Sequence, residues 1–259
     1  MSQRMPAIFL GHGNPMNALQ TNSYTDAWST MATRLRRPRA ILSISAHWFI
    51  RGTAVTAMRR PRTIHDFGGF PQALYAVQYP APGDPELAKE VQQLLAPVQV
   101  AADQEWGLDH GTWSVLNHMF PAADVPVIQL SIDATQPAEF HYAMGGWLRP
   151  LRDEGILLIG SGNIVHDLST YAWDRHPMEP YDWAVRFESR VRESILRREH
   201  GPLIEYGSLG KDAALAAPTP EHYLPLLYIL GAAAADDEIT FPVEGVDGGS
   251  VSMLAVQVG

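Results

Sequence analysis

The chain has 259 residues, 46% of them hydrophobic and 18% charged, with no cysteine. This suffices to bury one sizeable core, and it excludes disulfides, thiolate zinc sites and cysteine nucleophiles. A formal net charge of −9 works against a nucleic-acid partner, since affinity for a phosphate backbone rests on clustered Lys and Arg; any metal must be held by His, Asp or Glu.

In chain order, short apolar runs at Ala7–Leu10, Ala40–Ser45, Val125–Ile132 and Gly155–Gly160 read as strands buried on both faces. Segments with apolar residues at helical spacing lie between or after them, at Ser23–Leu35, Pro85–Leu95, Pro137–Leu151 and Tyr181–Arg198. Near the end, Ile239–Val243 and Ser250–Val258 flank the Gly- and Asp-rich Glu244–Gly249, the pattern of an antiparallel hairpin. The alternation predicts an α/β fold, a single domain over residues 1–259 with a central mixed sheet, helices on both faces and this C-terminal hairpin. The short basic runs Arg34 to Arg39 and Arg59 to Arg62 are read as a solvated helix end and a loop. The N-terminal apolar run is too short for a signal peptide and no stretch approaches the roughly 18 apolar residues of a membrane span; the expected location is the cytoplasm.

Of the ten histidines, four fall at or just past predicted strand ends or in Gly-bounded turns: His12, His47, His110 and His166. Loops beyond the carboxyl ends of strands bring sequence-distant residues into one crevice, so these imidazoles can converge. His12 lies in GHGNPM, His47 in SISAHWF and His110 in WGLDHGTWSVL. There Asp109 or a backbone carbonyl can fix the His110 tautomer, and an imidazole that gives and takes a proton near neutral pH suits acid/base work. His166 follows the strand and GSG turn of GILLIGSGNIVHDL and precedes an expected helix start. That segment lacks the third glycine of a dinucleotide fingerprint and the Lys of a P-loop. Pro218 and Pro220 place Glu221 and His222 in the first turn of an apolar helix, where only one of the pair can face a given centre. His65, His118, His141, His176 and His200 read as structural or exposed. In TIHDFGGFP, His65 stands beside Asp66, aromatics and Gly68–Gly69, the makings of a lid over the site.

Taken together, GHGNPM, SAHW, LDHGTW, GSGNIVH and TPEHYLPLLYILGA, in this order over nearly the whole chain, resemble the DOPA-type branch of the class III extradiol ring-cleavage dioxygenases. The resemblance implies a catalytic-subunit fold of the protocatechuate 4,5-dioxygenase type with one divalent metal per chain. It implies His12, His47 and His222 as metal ligands, with His166 as a fourth ligand in a resting zinc form or as an acid/base, and His110 as a catalytic partner at the substrate. Many such enzymes use Glu as third ligand, which leaves Glu221 as the alternative to His222. The expected reaction opens a catechol such as DOPA with O2, inserting both oxygen atoms to give a muconic semialdehyde-type product. Fe(II) is expected for activity, and Zn(II) is a plausible inert occupant. Trp48, Phe67, Trp113 and Tyr223 are the expected walls of the substrate pocket. A zinc hydrolase built on the same histidines, or a metal-binding module without turnover, are the alternatives left open by the residues themselves.

Overall fold

A computed structural model describes residues 4–173 and 178–259; His176 lies outside the described residues. Among the described residues there are ten strands: β1 (Ala7–Gly11), β2 (Ala40–Ile50), β3 (Thr53–Thr56), β4 (Val100–Asp103), β5 (Val127–Asp133), β6 (Ile156–Gly162), β7 (Ile239–Thr240), β8 (Val246–Asp247), β9 (Val251–Ser252) and β10 (Ala255–Val258). Eight of them form one sheet in the order β4-β3-β5-β2-β6-β1-β10-β7, and β8 and β9 form a separate two-stranded ribbon. The centre is parallel, with β6 between β1 and β2 and β2 also beside β5. The margins are mixed, since β3 runs antiparallel to β5, and β10 antiparallel to both β1 and β7.

The two-residue period of a strand sends alternate side chains to opposite faces, and both faces of this sheet are covered. Phe9, Leu42, Ile44 and Leu158 enter one hydrophobic cluster, together with residues of the helices Pro85–Leu94, Ala138–Leu148, Asp182–Leu196 and Leu224–Gly231. Ile8, Leu10, Ile41 and Ile159 enter the other, against the helices Ser23–Arg34 and His110–Met119. Continuous apolar strands are what a two-sided core demands, and this is why these runs were visible in the sequence. β3 and β4 were not expected, being only four residues each, and β4 is largely exposed.

The C-terminal hairpin is present in divided form. Ile239 and Thr240 pair with Val258 and Gln257, while Val246 and Asp247 pair with Ser252 and Val251 around Gly248–Gly249. Gly248 and Gly249 have φ of 54° and 83°, the left-handed conformation that glycine adopts without a Cβ penalty.

Candidate metal centre

β1, β2 and β6 end side by side, and each delivers an imidazole to the same crevice. His12 directly follows β1, and its backbone N–H donates to Gly162 O at the end of β6 (3.1 Å). His47 lies inside β2, not beyond it as expected, because β2 continues to Ile50. Its pairing with β5 shifts register between Ile44 and Phe49, an irregularity of the kind that re-aims a side chain next to a site. The GSG segment is the last part of β6, not a turn, and among the described residues no helix begins at His166. His166 instead makes an isolated antiparallel bridge with Val251. His222 precedes its helix, which begins at Leu224. Its carbonyl accepts the Asn163 N–H at 2.9 Å, and a Cβ on Gly162 would meet that carbonyl at 2.2 Å. The glycine at the end of β6 is therefore the residue that lets the His222 turn close onto the sheet.

One nitrogen from each of His12, His47 and His222 lies within 4.8 Å of the others. The far side of each ring faces oxygen. Ser161 Oγ donates its proton to Gly111 O (2.5 Å) and stands 2.9 Å from His12 Nδ1, so that it accepts from this nitrogen. His47 Nδ1 is 3.2 Å from Asp66 Oδ2, and His222 Nδ1 is 3.3 Å from Glu221 Oε1. With the proton on each Nδ1, every Nε2 presents a lone pair inward. His12 Nε2 and His47 Nε2 face each other at 3.2 Å, and the buried His222 Nε2 has no hydrogen-bond partner. Converging imidazole lone pairs without protons repel unless a cation stands between them, and oxygen partners on the outer nitrogens are the usual orienting arrangement for metal-binding histidines. The donor set thus fits one divalent cation.

The electrostatics agree with neutral rings. Burial, followed by the neighbouring imidazoles, holds His12 and His47 well below the ordinary histidine pKa. His166 is held at about 3, by burial and then by His222. Burial lowers His222 also, against the opposing influence of Glu221. Glu221 itself is held at about 2, since its hydrogen bonds with His222 and the Thr219 hydroxyl outweigh the cost of burying its charge. Its contact with His222 Nδ1 places Glu221 behind the inward-facing ring, which bears on the choice between the two as third ligand.

His166 stacks on His222, with centroids 3.5 Å apart and planes 8° from parallel. His110 packs on His47 at 3.9 Å between centroids. The carboxylate beside His110 is Asp66, not Asp109: its Oδ1 accepts the His110 backbone N–H (2.9 Å) and lies 3.0 Å from His110 Nδ1. Asp109 points away, accepting from Ser45 Oγ, Gln129 Nε2 and the Thr112 N–H, which caps the His110–Met119 helix. Fully buried, it is shifted upward in pKa by loss of solvation.

All five histidines, with Asp66, line a cavity of about 220 Å³. Of the four expected pocket walls, Phe67 lines it, beside Phe70, Leu168, Tyr171 and Trp173, which the sequence had not singled out. The other three are corrected. Trp48 alternates to the far side of β2 from His47 and stacks on Trp106 (centroids 5.5 Å, 3°). Trp113 is a core residue whose indole N–H donates to Ile64 O. Tyr223 is buried on the opposite face of its turn from His222, stacked on Tyr206, its hydroxyl donating to Leu203 O. Next to a motif residue, an aromatic points the other way as often as the same way, and here core packing took all three. The remaining described histidines are tied up elsewhere: His65 Nε2 with Val77 O, His118 with Asn17 O, His141 with the Tyr228 hydroxyl and His200 with the Tyr142 hydroxyl. The segment read as a lid supplies Asp66, Phe67 and Phe70 to the cavity wall.

Comparison with known proteins gives one consistent result. The family described as the catalytic LigB subunit of aromatic ring-opening dioxygenase matches residues 6–249. A 4,5-DOPA dioxygenase extradiol of Escherichia coli K12 is 54% identical over all of this chain and 96% of its own length. The protein of the same name from Beta vulgaris is 37% identical, with 95% of this chain and 93% of that protein covered. In three dimensions, the crystal structure of an uncharacterized Escherichia coli K12 protein superimposes with a TM-score of 0.87 at 50% identity, covering 99% of this chain and 100% of that one.

Proposed function

The chain belongs to the LigB family of aromatic ring-opening dioxygenases, and from that premise we propose that it opens a catechol bearing a side chain, such as DOPA, by extradiol cleavage with both atoms of O2. The observation that carries this reading is the convergence of His12, His47 and His222 through bare Nε2 atoms on one point of a cavity lined by two further histidines.

His12, His47 and His222 would hold the metal, with Glu221 orienting His222 from behind. Fe(II) held there would supply an electron route between catecholate and dioxygen, whereas Zn(II) would suit the same donors but is redox-inert. His110 and His166 are left as the proton carriers. Both line the cavity and flank the ligand rings from different sides, His110 against His47 and His166 against His222. One imidazole can take the catechol proton and the other can return a proton to the opening ring, which general acid/base catalysis rewards by about 100- to 10,000-fold. Phe67, edge-on to His110 at 5.4 Å, and Phe70 form an apolar wall for the ring. A neighbouring cavity of about 640 Å³ shares Asn14, Phe70, Tyr171 and Trp173 with the first, giving room for a ring substituent to extend. Among the described residues no helix is long and apolar enough to cross a membrane; a single catalytic domain acting in the cytoplasm completes the reading.

Protein loaded anaerobically with Fe(II) is expected to consume O2 with DOPA and form a yellow product, followed by an oxygen electrode and visible absorbance. No uptake across a broad catechol panel would overturn the proposal, and hydrolysis without oxygen consumption would favour a zinc hydrolase.

A further inference from the structure

Asp66 sits where two functional rings meet. Its Oδ2 is 3.2 Å from His47 Nδ1, and its Oδ1 is 3.0 Å from His110 Nδ1 while accepting the His110 backbone N–H at 2.9 Å. That backbone bond fixes the carboxylate to the start of the His110–Met119 helix, so its orientation does not depend on either ring. His110 Nδ1 and Asp66 Oδ2 are both buried and make no regular hydrogen bond, which leaves the close contacts of Asp66 with His110 Nδ1 and His47 Nδ1 as their polar surroundings.

We propose that Asp66 is a positioning residue that sets the tautomers of His47 and His110 together, one carboxylate oxygen for each ring. An ionised carboxylate only accepts hydrogen bonds, so each Nδ1 facing it is favoured in its protonated form and each Nε2 is left bare. For His47, the bare Nε2 is the atom aimed at His12 Nε2. For His110, it is a proton acceptor on the cavity side of the ring. The same side chain thereby ties a metal-binding ring to a proton-carrying ring. Of the three inward-facing histidines, His12 and His222 have partners of their own in Ser161 and Glu221, and His47 shares its partner with His110. This inference rests on the metal-centre reading above, and its test does not require turnover.

The test uses Zn(II)-loaded protein. Ring-nitrogen NMR of the wild type is expected to show Nδ1–H on both His47 and His110, and Zn(II) affinity is read by competition with a chelator. Asp66→Asn keeps the shape, but its amide offers one acceptor and one donor, so it can satisfy one ring in the Nδ1–H form and not both. In this variant one of the two rings is expected to change tautomer, and Zn(II) affinity to fall about 10- to 100-fold, the usual cost of losing an orienting partner. Asp66→Glu, with two acceptor oxygens, is expected to recover part of that affinity. Wild-type affinity and unchanged ring signals in Asp66→Asn would overturn the proposal. Should that variant not fold, an Nε2–H on His110 of the wild type would overturn it equally. A wild type that binds Zn(II) as described yet takes up no O2 when loaded with Fe(II) would count against the dioxygenase and leave the role of Asp66 standing.

Discussion

The two ends of the sheet both bury ionisable groups, and they handle them in opposite ways. At one end Arg152 is fully buried and every guanidinium nitrogen is engaged: Nε donates to Met5 O (2.7 Å), Nη1 to Ala232 O (2.7 Å) and Asp237 Oδ2 (2.5 Å), and Nη2 to Val258 O (3.0 Å). At the other end, beyond the carboxyl ends of β1, β2 and β6, His12, His47 and His222 turn their outer nitrogens towards oxygen atoms and bring their inner ones together. Satisfied buried charge locks chain segments in place, whereas donor atoms left without partners at the wall of a cavity mark a site that takes a ligand. Arg152 joins the first strand region, the Leu224–Gly231 helix end and the last strand, so it fastens the scaffold that the histidines use from the opposite end.

The largest effects should separate the ends cleanly. His47→Ala is expected to abolish metal retention and turnover, a loss beyond the roughly 100-fold of an outer partner, while His110→Ala keeps the metal and loses about 100- to 10,000-fold in rate. Metal analysis and single-turnover kinetics on both variants check this, and equal metal content with equal turnover would break the assignment. At the scaffold end, Arg152→Met should cost up to about 3–5 kcal/mol of stability by removing the buried partner of Asp237, which keeps only the longer contact to Arg4, with folded protein still binding metal; denaturant titration and chelator competition read the two effects separately. The smallest effect concerns His141, a buried histidine outside both clusters, held at about 4 by burial. Between about pH 6.5 and 4 the unfolded chain takes up a proton that the folded ring refuses. This contribution is therefore lost as the pH falls through that window and becomes level below it. His141→Gln should flatten the pH dependence of the unfolding midpoint there, by at most about 1.4 kcal/mol per pH unit, and an unchanged slope would exonerate this residue.

Much of the candidate site was legible because its chemistry is written in residue type and local context. Four histidines at strand ends or in Gly-bounded turns were expected to meet and the family resemblance added His222, and His12, His47, His110, His166 and His222 line one cavity. Asp66 was seen only as part of a lid, since nothing local says that a carboxylate 44 residues before His110 will lie against it. Leu168, Tyr171 and Trp173 were missed for the same reason: they follow β6 in an irregular segment with no periodicity to place them.

The sequence by itself determined the central strands, their two-sided burial and the imidazoles at their ends, because apolar periodicity and side-chain chemistry are local properties. Only the tertiary structure decided which nitrogen of each ring faces inward, that Asp66 and not Asp109 stands beside His110, and that Trp48, Trp113 and Tyr223 turn into the core. Those outcomes depend on how the strand ends, the β2 irregularity and the close approach at Gly162 bring distant segments together, and contacts of that range leave no mark in neighbouring residues.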